Sequence, residues 1–175
     1  SEALDNRVDA SEFASDQQVT ILQALLPTDA GPDAELLRSH EFAHATDLLY
    51  LVSQATRFPD QSPASELVWE TYSAHNHARL LHVVEATDKQ TLDCPQINGV
   101  REMEDVLSGY RDVGQFDPGN WMLATRGGKD IGCVLLSAHE DKLWELVYMG
   151  IVPEARGCRL GVELVRYAQW TAGQG

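Results

Sequence analysis

The chain has few cysteines, few basic residues and no long apolar segment, and each shortage excludes a class of protein. Its three cysteines lack C-x-x-C spacing, which argues against a disulfide framework or a zinc site. Three histidines between residues 75 and 82 have no carboxylate or cysteine at a ligand spacing, so we expect no metal. No run approaches the roughly 18 apolar residues of a membrane helix, and residues 1–30 carry no secretory signal pattern. These absences predict a soluble cytoplasmic protein without a membrane partner.

Acidic side chains dominate the surface chemistry. The chain has 27 aspartates and glutamates against 13 lysines and arginines, which gives a net charge of −14 at pH 7. Such a charge repels nucleic acid and anionic membranes and favours a cationic small molecule or a basic partner. The hydrophobic fraction of 43% is large enough for a buried core.

Turn-forming residues divide the first part of the chain into short elements. Apolar, partly β-branched runs predict strands over residues 19–27 and 43–54, and the stretch "TDAGPDAELLRSHEF" between them predicts a short amphipathic helix. Two prolines within residues 57–63 predict a linker. A helix is then expected from about Ser65 to Asn76.

The second part has a sharper pattern. "ARLLHVVEAT" predicts a strand at 78–87, and helical spacing predicts a helix within 98–114 that Gly114 ends. Residues 120–152 hold three apolar runs separated by "RGGKD" and "AHEDK", which predicts an antiparallel meander. "GVELVRYAQWTA" predicts a final amphipathic helix. The fold class is therefore α/β (α+β), with a mixed, mostly antiparallel sheet flanked by helices.

The connection between the last strand and the last helix has unusual chemistry. "LVYMGIVP" is followed by "EARGCRLG", and Pro153 ends the strand because it has no backbone donor. Gly157 and Gly161 allow consecutive N–H groups to face one concavity, and a helix starting near Leu160 adds its positive end. Such a loop can bind a pyrophosphate. The simpler interpretation is a tight strand-to-helix connection.

Residues 78–173 resemble the first two-thirds of a GNAT superfamily N-acetyltransferase domain. The resemblance depends on "WELVYMGIVP" followed by "EARGCRLG". Members carry Arg or Gln, two free positions, Gly, one free position and then Gly or Ala. Arg156 occupies the first position and Gly161 the last, whereas Arg159 stands where the middle glycine is expected.

The resemblance implies an acyl-CoA site, with acetyl-CoA as co-substrate and the backbone of Ile151 and Val152 pairing with the pantetheine arm. It also implies that the sheet opens near Gly150. The residues implied to bind the cofactor are Ile151, Val152, Arg156, Gly157, Cys158, Arg159, Leu160 and Gly161.

Three side chains are candidates for proton transfer. Glu145 is a carboxylate inside an apolar strand beside the predicted site, and it is the first choice for the base. Glu85 is the second choice, since its predicted strand runs along the substrate side in the family. Tyr148 is a candidate proton donor to the departing thiolate. The simpler interpretations are two solvent-facing glutamates and a packed tyrosine.

Residues 19–54 have a weaker resemblance, to the closing third of the same family. Leu36 and Leu37 occupy a Leu-Tyr pair, so the tyrosine that often acts as general acid is absent. This predicts that 1–56 is the end of a degenerate repeat, that 57–77 is a linker or helix, and that 78–175 is an acyl-CoA-binding core without its closing strands. One permuted domain is the alternative.

Two functional hypotheses follow. The first is an acetyl-CoA-dependent N-acetyltransferase for a small cationic amine or a peptide; a homodimer is compatible with it. The second is a catalytically weak acyl-CoA-binding or structural module. A nucleotide-binding module is disfavoured, because the chain lacks both G-x-x-x-x-G-K-[ST] and G-x-G-x-x-G.

Overall fold

The computed structural model describes residues 21–91 and 99–175. Residues 21–48 and 99–101 belong to one compact unit, and residues 49–91 and 102–175 belong to a second. Among the helices of these described ranges, none combines the length and apolar character needed to cross a membrane.

The first unit contains helix α1, Gly31–Ser39, which confirms the short helix predicted after the first apolar run. Pro32 and the acidic Asp33 lie in its first turn, and the basic Arg38 lies in its last turn. These residue types stabilise the respective ends of a helix. The strands predicted over 19–27 and 43–54 are wrong where described: residues 21–27 and 43–54 form neither helix nor strand. No described strand pairs with them, and an apolar run needs a ladder partner to become a strand.

The second unit is built on a four-stranded antiparallel sheet in the order β1-β2-β3-β4. Its strands are β1 Val68–Thr71, β2 Trp121–Arg126, β3 Lys129–Ala138 and β4 Trp144–Ile151. The predicted meander is confirmed. Gly127 and Gly128 both have positive φ, 57° and 77°, as a tight hairpin between β2 and β3 requires.

Two predicted elements before the meander are wrong: the segment expected to be a helix contains β1, and the segment expected to be a strand lies in a helix at His77–Asp88, which we call α2. Val68, Trp69 and Thr71 favour a strand, and β2 supplies its partner. Helix α2, His77–Asp88, buries side chains spaced three or four residues apart. Its continuous "LLHVV" run satisfies a period of two as well as 3.6, so periodicity alone did not distinguish the two.

Two further helices, α3 Met103–Arg111 and α4 Leu160–Ala172, confirm the remaining helix predictions. Alternate side chains of β3 point to opposite faces of the sheet. Cys133 and Leu135 share a buried cluster with side chains of α2 and α3, whereas Val134 and Leu136 share a second cluster with side chains of α4. The sheet therefore has α2 and α3 on one face and α4 on the other.

An ion-pair network joins β1, α2 and β3. Arg79 donates to Glu70 at 2.7 Å and to both carboxylate oxygens of Asp130 at 2.6 and 3.1 Å. A hydrogen bond from the Asn76 amide, followed by those from Arg79, holds the pKa of Glu70 below its ordinary value. The same carboxylates raise the pKa of Arg79.

This network predicts a pH-dependent stability. Because the folded pKa of Glu70 is lowered, its contribution is present above the unfolded pKa, about 4.3, and is lost as the pH falls through the folded value. We expect the free energy of unfolding to decrease below about pH 5, and to decrease less in Arg79→Gln. Urea unfolding between neutral and acid pH measures this. Arg126→Gln, which breaks an exposed pair with Glu66, is the control and should leave the pH profile unchanged.

Candidate functional site

The predicted loop lies where β4 passes into α4. Val152 continues the sheet by donating its N–H to Ile131 at 3.0 Å, and Pro153–Ala155 then forms a single 3-10 turn. Gly157 has a φ of 79°, a left-handed conformation that glycine adopts without strain. Helix α4 begins at Leu160. Residues 151–161 are thus one strand–loop–helix connection, as predicted.

The amino end of α4 has unpaired donors. Arg159 is the N-cap residue and makes no side-chain capping bond. Within the described residues, the amides of Leu160 and Gly161 have no acceptor, whereas Val162 donates to the Arg159 carbonyl at 3.1 Å. Free first-turn amides and the positive end of the helix dipole make this a place where an anion is stabilised.

The Arg156 side chain is committed to the protein rather than to the loop opening. Its guanidinium donates to the Thr87 carbonyl at 2.7 Å, to Lys89 at 2.9 Å and to Gln90 at 3.3 Å, all at the carboxyl end of α2. A fourth bond reaches the Ile151 carbonyl at 3.0 Å. Arg156 therefore ties the loop to both β4 and α2, and it satisfies carbonyls that a helix end leaves unpaired.

Arg159 has a strained backbone. Its φ and ψ of 61° and 10° lie in the left-handed helical region, where a side chain costs about 1 kcal/mol relative to glycine. Arg159 stands at the position at which the motif has glycine. Its backbone has the left-handed conformation that favours glycine, although the residue is arginine.

We predict that Arg159→Gly raises the free energy of unfolding by about 0.5–1 kcal/mol, because it removes this strain. Arg159→Ala is the matched control, since it removes the guanidinium but keeps a Cβ in the same conformation. Chemical denaturation of both variants separates the two contributions. Equal stabilisation by alanine would show that the side-chain charge, not the backbone, is responsible.

Tyr148 lies on β4, three residues before Ile151. Its hydroxyl is 2.6 Å from the Thr87 hydroxyl and donates to Asp88 at 3.3 Å, and its ring stacks on Tyr110. Burial raises the pKa of Tyr148 well above its ordinary value, and the Thr87 bond only partly opposes this. The phenol is protonated at neutral pH, as it is at its ordinary pKa, and burial makes it a weaker acid.

The two glutamates lie elsewhere. Glu145 is exposed near the start of β4 and bonds His139 at 2.9 Å. Six residues separate it from Ile151, or about 20 Å along the strand. Glu85 is on an exposed face of α2, so its predicted strand position is wrong. The sequence analysis did not identify Thr87 and Asp88 as partners of Tyr148. Their segment was interpreted as a strand, so no helix end was expected at this point.

Gly150 is regularly paired with β3 and closely packed; the opening of the sheet on the other side of β4 stays a prediction. The pairing of Gly150 with Cys133 continues to that of Ile151 with Gly132, and the irregularity of the sheet lies instead opposite Leu135 and Leu136, where β4 has one extra residue. A Cβ on Gly150 would come within 2.8 Å of Thr87 side-chain atoms. The glycine is therefore required for the close approach of α2 to β4.

The thiols and metal ligands give no second centre within the described residues. Cys133 is buried, which raises its pKa to about 12, whereas Cys158 is exposed in the loop. Cys94 lies outside the described residues. No group of three or more potential metal-ligating side chains is assembled in residues 21–91 and 99–175.

The second unit is thus an α/β domain, with an antiparallel sheet, helices on both faces and an uncapped helix end directly after β4. The model of the Acetyltransferase (GNAT) family matches residues 84–174. The chain belongs to this family, which confirms the resemblance drawn from residues 78–173; the weaker resemblance of residues 19–54 stays a prediction.

No curated protein matches the chain. Among solved structures, a GNAT family acetyltransferase from Brucella melitensis in complex with acetyl-CoA is similar, with 18% sequence identity and a TM-score of 0.47. The alignment covers 62% of this chain and 70% of that one.

Proposed function

We propose that this chain is an acetyl-CoA-dependent N-acetyltransferase. The observation that supports it most is the uncapped amino end of α4, set directly after β4 in a chain of the GNAT family. In this proposal the amides between Gly157 and Gly161 hold the diphosphate of acetyl-CoA, and the backbone of Ile151 and Val152 pairs with its pantetheine arm. The residues present fit such a group, since the first-turn amides have no described acceptor.

Acetyl-CoA supplies an activated thioester, and the protein supplies proton transfers. We assign Tyr148 as the donor to the departing thiolate, because its phenol carries a proton at neutral pH and lies on β4 three residues before Ile151. We assign Glu145, bonded to His139, as the group that accepts the proton of the attacking ammonium. Both residues lie on β4. In this proposal the pantetheine arm extends along β4, between the diphosphate at one end and the acyl group at the other. Glu85 is the second choice for the base.

The acceptor is proposed to be a cationic amine. The net charge of −14 favours cations near the surface by long-range attraction, and an amine in water at pH 7 is mostly protonated. We also propose that 1–56 is the end of a preceding repeat and that 78–175 is the acyl-CoA core, to whose sheet β1 adds a strand from within 57–77.

Calorimetric titration with acetyl-CoA tests the site. Gly161→Trp should weaken binding at least about tenfold, because the indole would cover the first-turn amides. Its effect on folding should be small, since the nearest atom to a Cβ there is Ile151 Cδ1 at 3.8 Å. Gly109→Trp, at a helix position with open space around it, is the control and should bind normally. Equal affinity in both variants contradicts the loop assignment.

A catalytically weak acyl-CoA-binding module is the second candidate, and the left-handed Arg159 favours it because a side chain stands where the motif has glycine. Thiol release from acetyl-CoA across a panel of amines distinguishes the two. Turnover that falls in Glu145→Gln and Tyr148→Phe supports the enzyme; binding with no turnover leaves the module.

A further inference from the structure

The hydroxyl of Tyr148 faces two oxygen-bearing side chains at the carboxyl end of α2. The Thr87 hydroxyl lies 2.6 Å from it and the Asp88 carboxylate 3.3 Å from it. Thr87 is buried, so water has little access to the shorter of these contacts. The side chains of α2 therefore govern how readily Tyr148 loses its proton.

The direction of the Thr87–Tyr148 bond follows from the number of protons. Thr87 has one hydroxyl proton, and it donates this proton to the Val84 carbonyl at 2.7 Å, three residues earlier in the same helix. Because it cannot donate to Tyr148 at the same time, Tyr148 is the donor of the bond and Thr87 is the acceptor. The Thr87 proton is thus held in reserve, next to the phenol but not directed at it.

Loss of the Tyr148 proton would create a half-buried phenolate in unfavourable surroundings. Burial raises the pKa of Tyr148 well above its ordinary value, whereas the Thr87 bond lowers it. Three further neighbours raise it: Cys133 on β3, Asp88 on α2 and Tyr110 on α3. A buried anion is stabilised by donors that bond to it directly, and a hydroxyl proton rotates freely about its C–O bond. Thr87 is therefore placed to supply such a donor.

The rotation of the Thr87 hydroxyl leaves no carbonyl unpaired. In an α-helix the Val84 carbonyl also accepts the N–H four residues later, which is that of Asp88. Thr87 can release this carbonyl without leaving a buried acceptor unsatisfied. A hydrogen bond to an anion is roughly twice as strong as one between neutral groups, so the exchange of partners is favourable once the phenol is ionised.

We propose that Thr87 is a positioning residue for proton donation by Tyr148, an inference that rests on the proposed acetyl transfer. Before transfer, Tyr148 donates to Thr87 and Thr87 donates to Val84. When Tyr148 gives its proton to the departing thiolate, the phenolic O–H bond breaks and an S–H bond forms. The Thr87 hydroxyl then turns from the Val84 carbonyl to the phenolate. Water afterwards returns a proton to the phenolate, because the phenol is the stable form at neutral pH.

Two substitutions separate the hydroxyl of Thr87 from its packing. Thr87→Val keeps the branched side chain beside Gly150 but removes the hydroxyl, whereas Thr87→Ser keeps the hydroxyl and removes the methyl group. At saturating acetyl-CoA, the single-turnover rate of thiol release should fall at least about tenfold in Thr87→Val and stay within about threefold in Thr87→Ser. The dissociation constant of acetyl-CoA should be unchanged in both variants. In the Tyr148→Phe background, Thr87→Val should have no further effect on the rate.

A second measurement does not depend on turnover. A ring-difluorinated tyrosine at position 148 is a more acidic phenol, and fluorine NMR follows its ionisation during a pH titration. The acid dissociation constant of this phenol should fall at least about tenfold in Thr87→Val and stay within about threefold in Thr87→Ser. Circular dichroism checks that each variant folds. Thr87→Ala, which also lacks the hydroxyl, takes the place of Thr87→Val if the valine variant unfolds.

The possible results distinguish this inference from the proposed function. A chain that binds acetyl-CoA but releases no thiol with any amine contradicts the proposed function, and the proton transfer with it. Turnover with an unchanged phenol dissociation constant in Thr87→Val contradicts only the role of Thr87. Equal losses of rate in Thr87→Val and Thr87→Ser would assign the effect to packing and would also overturn the inference, as would a further loss in the Tyr148→Phe background.

Discussion

Replacing Arg156 with methionine should lower the free energy of unfolding by about 3 kcal/mol and weaken acetyl-CoA binding at least tenfold. Methionine keeps much of the apolar stem but removes the four hydrogen bonds to the Thr87, Lys89, Gln90 and Ile151 carbonyls. Those carbonyl oxygens would then need water molecules as hydrogen-bond donors at the end of α2. The loop would lose its attachment to β4, so the amides of α4 would no longer be held for an anion.

Urea unfolding and calorimetric titration measure the two effects separately. Arg166→Met is the matched control, because Arg166 is an exposed arginine on α4, and this variant should change neither quantity appreciably. Arg156→Lys should be intermediate, since an ammonium group keeps the charge but cannot reproduce the planar fork. If Arg156→Met were as stable as the unmodified chain, the helix-end contacts would contribute nothing to the fold.

If Arg156→Lys restored acetyl-CoA binding without restoring stability, a different role of Arg156 would be indicated. In that case the positive charge near the loop, and not the position of the loop, would be what the ligand requires. Raising the salt concentration distinguishes the two causes, because charge attraction is screened while a positional effect is not.

The meander and the helices beside it were predictable from local chemistry. Gly127 and Gly128 mark one hairpin, and the apolar spacing of α3 and α4 has a clear helical period. Their neighbours in sequence are also their neighbours in space, so local signals were sufficient. The strand–loop–helix connection at residues 151–161 was predictable for the same reason.

The assignments of β1 and α2 failed because they depend on partners distant in sequence. Val68 pairs with Thr125, and no local feature of "ELVWETY" identifies that partner. The sequence of α2 is compatible with either a helix or a strand. The sheet excludes the strand, because the position beside β2 is already occupied by β1. Residues 49–52 show the converse: their apolar pattern, without a described strand partner, leaves an exposed segment.

The role of Arg156 was only half predictable. Its place in the motif indicated the loop, but its side-chain acceptors on α2 lie 66 to 69 residues earlier in the chain. A segment interpreted as a strand has no helix end for an arginine to cap. The wrong assignment of residues 78–87 therefore also hid the contact that holds the loop.

Gly150→Ala should lower the free energy of unfolding by about 2–3 kcal/mol, although it adds only one methyl group. A Cβ built on Gly150 lies 2.7–2.8 Å from the Thr87 Cβ, Oγ1 and Cγ2 atoms, well inside van der Waals contact. Gly150 has no positive φ, so the cost comes from packing and not from backbone strain. Helix α2 would have to move away from β4, which would also stretch the Arg156 bonds to its carboxyl end.

A double-mutant cycle with Thr87→Ala identifies the cause. Alanine at 87 removes two of the three crowded atoms, so Gly150→Ala should cost about 1 kcal/mol less in that background. Gly109→Ala, which adds a methyl group into open space on helix α3, is the control and should be neutral or slightly stabilising. Additive effects at positions 87 and 150 would contradict the packing explanation. A measured coupling would instead show that the side chain at position 87 limits how closely α2 approaches the strand on which Tyr148 lies.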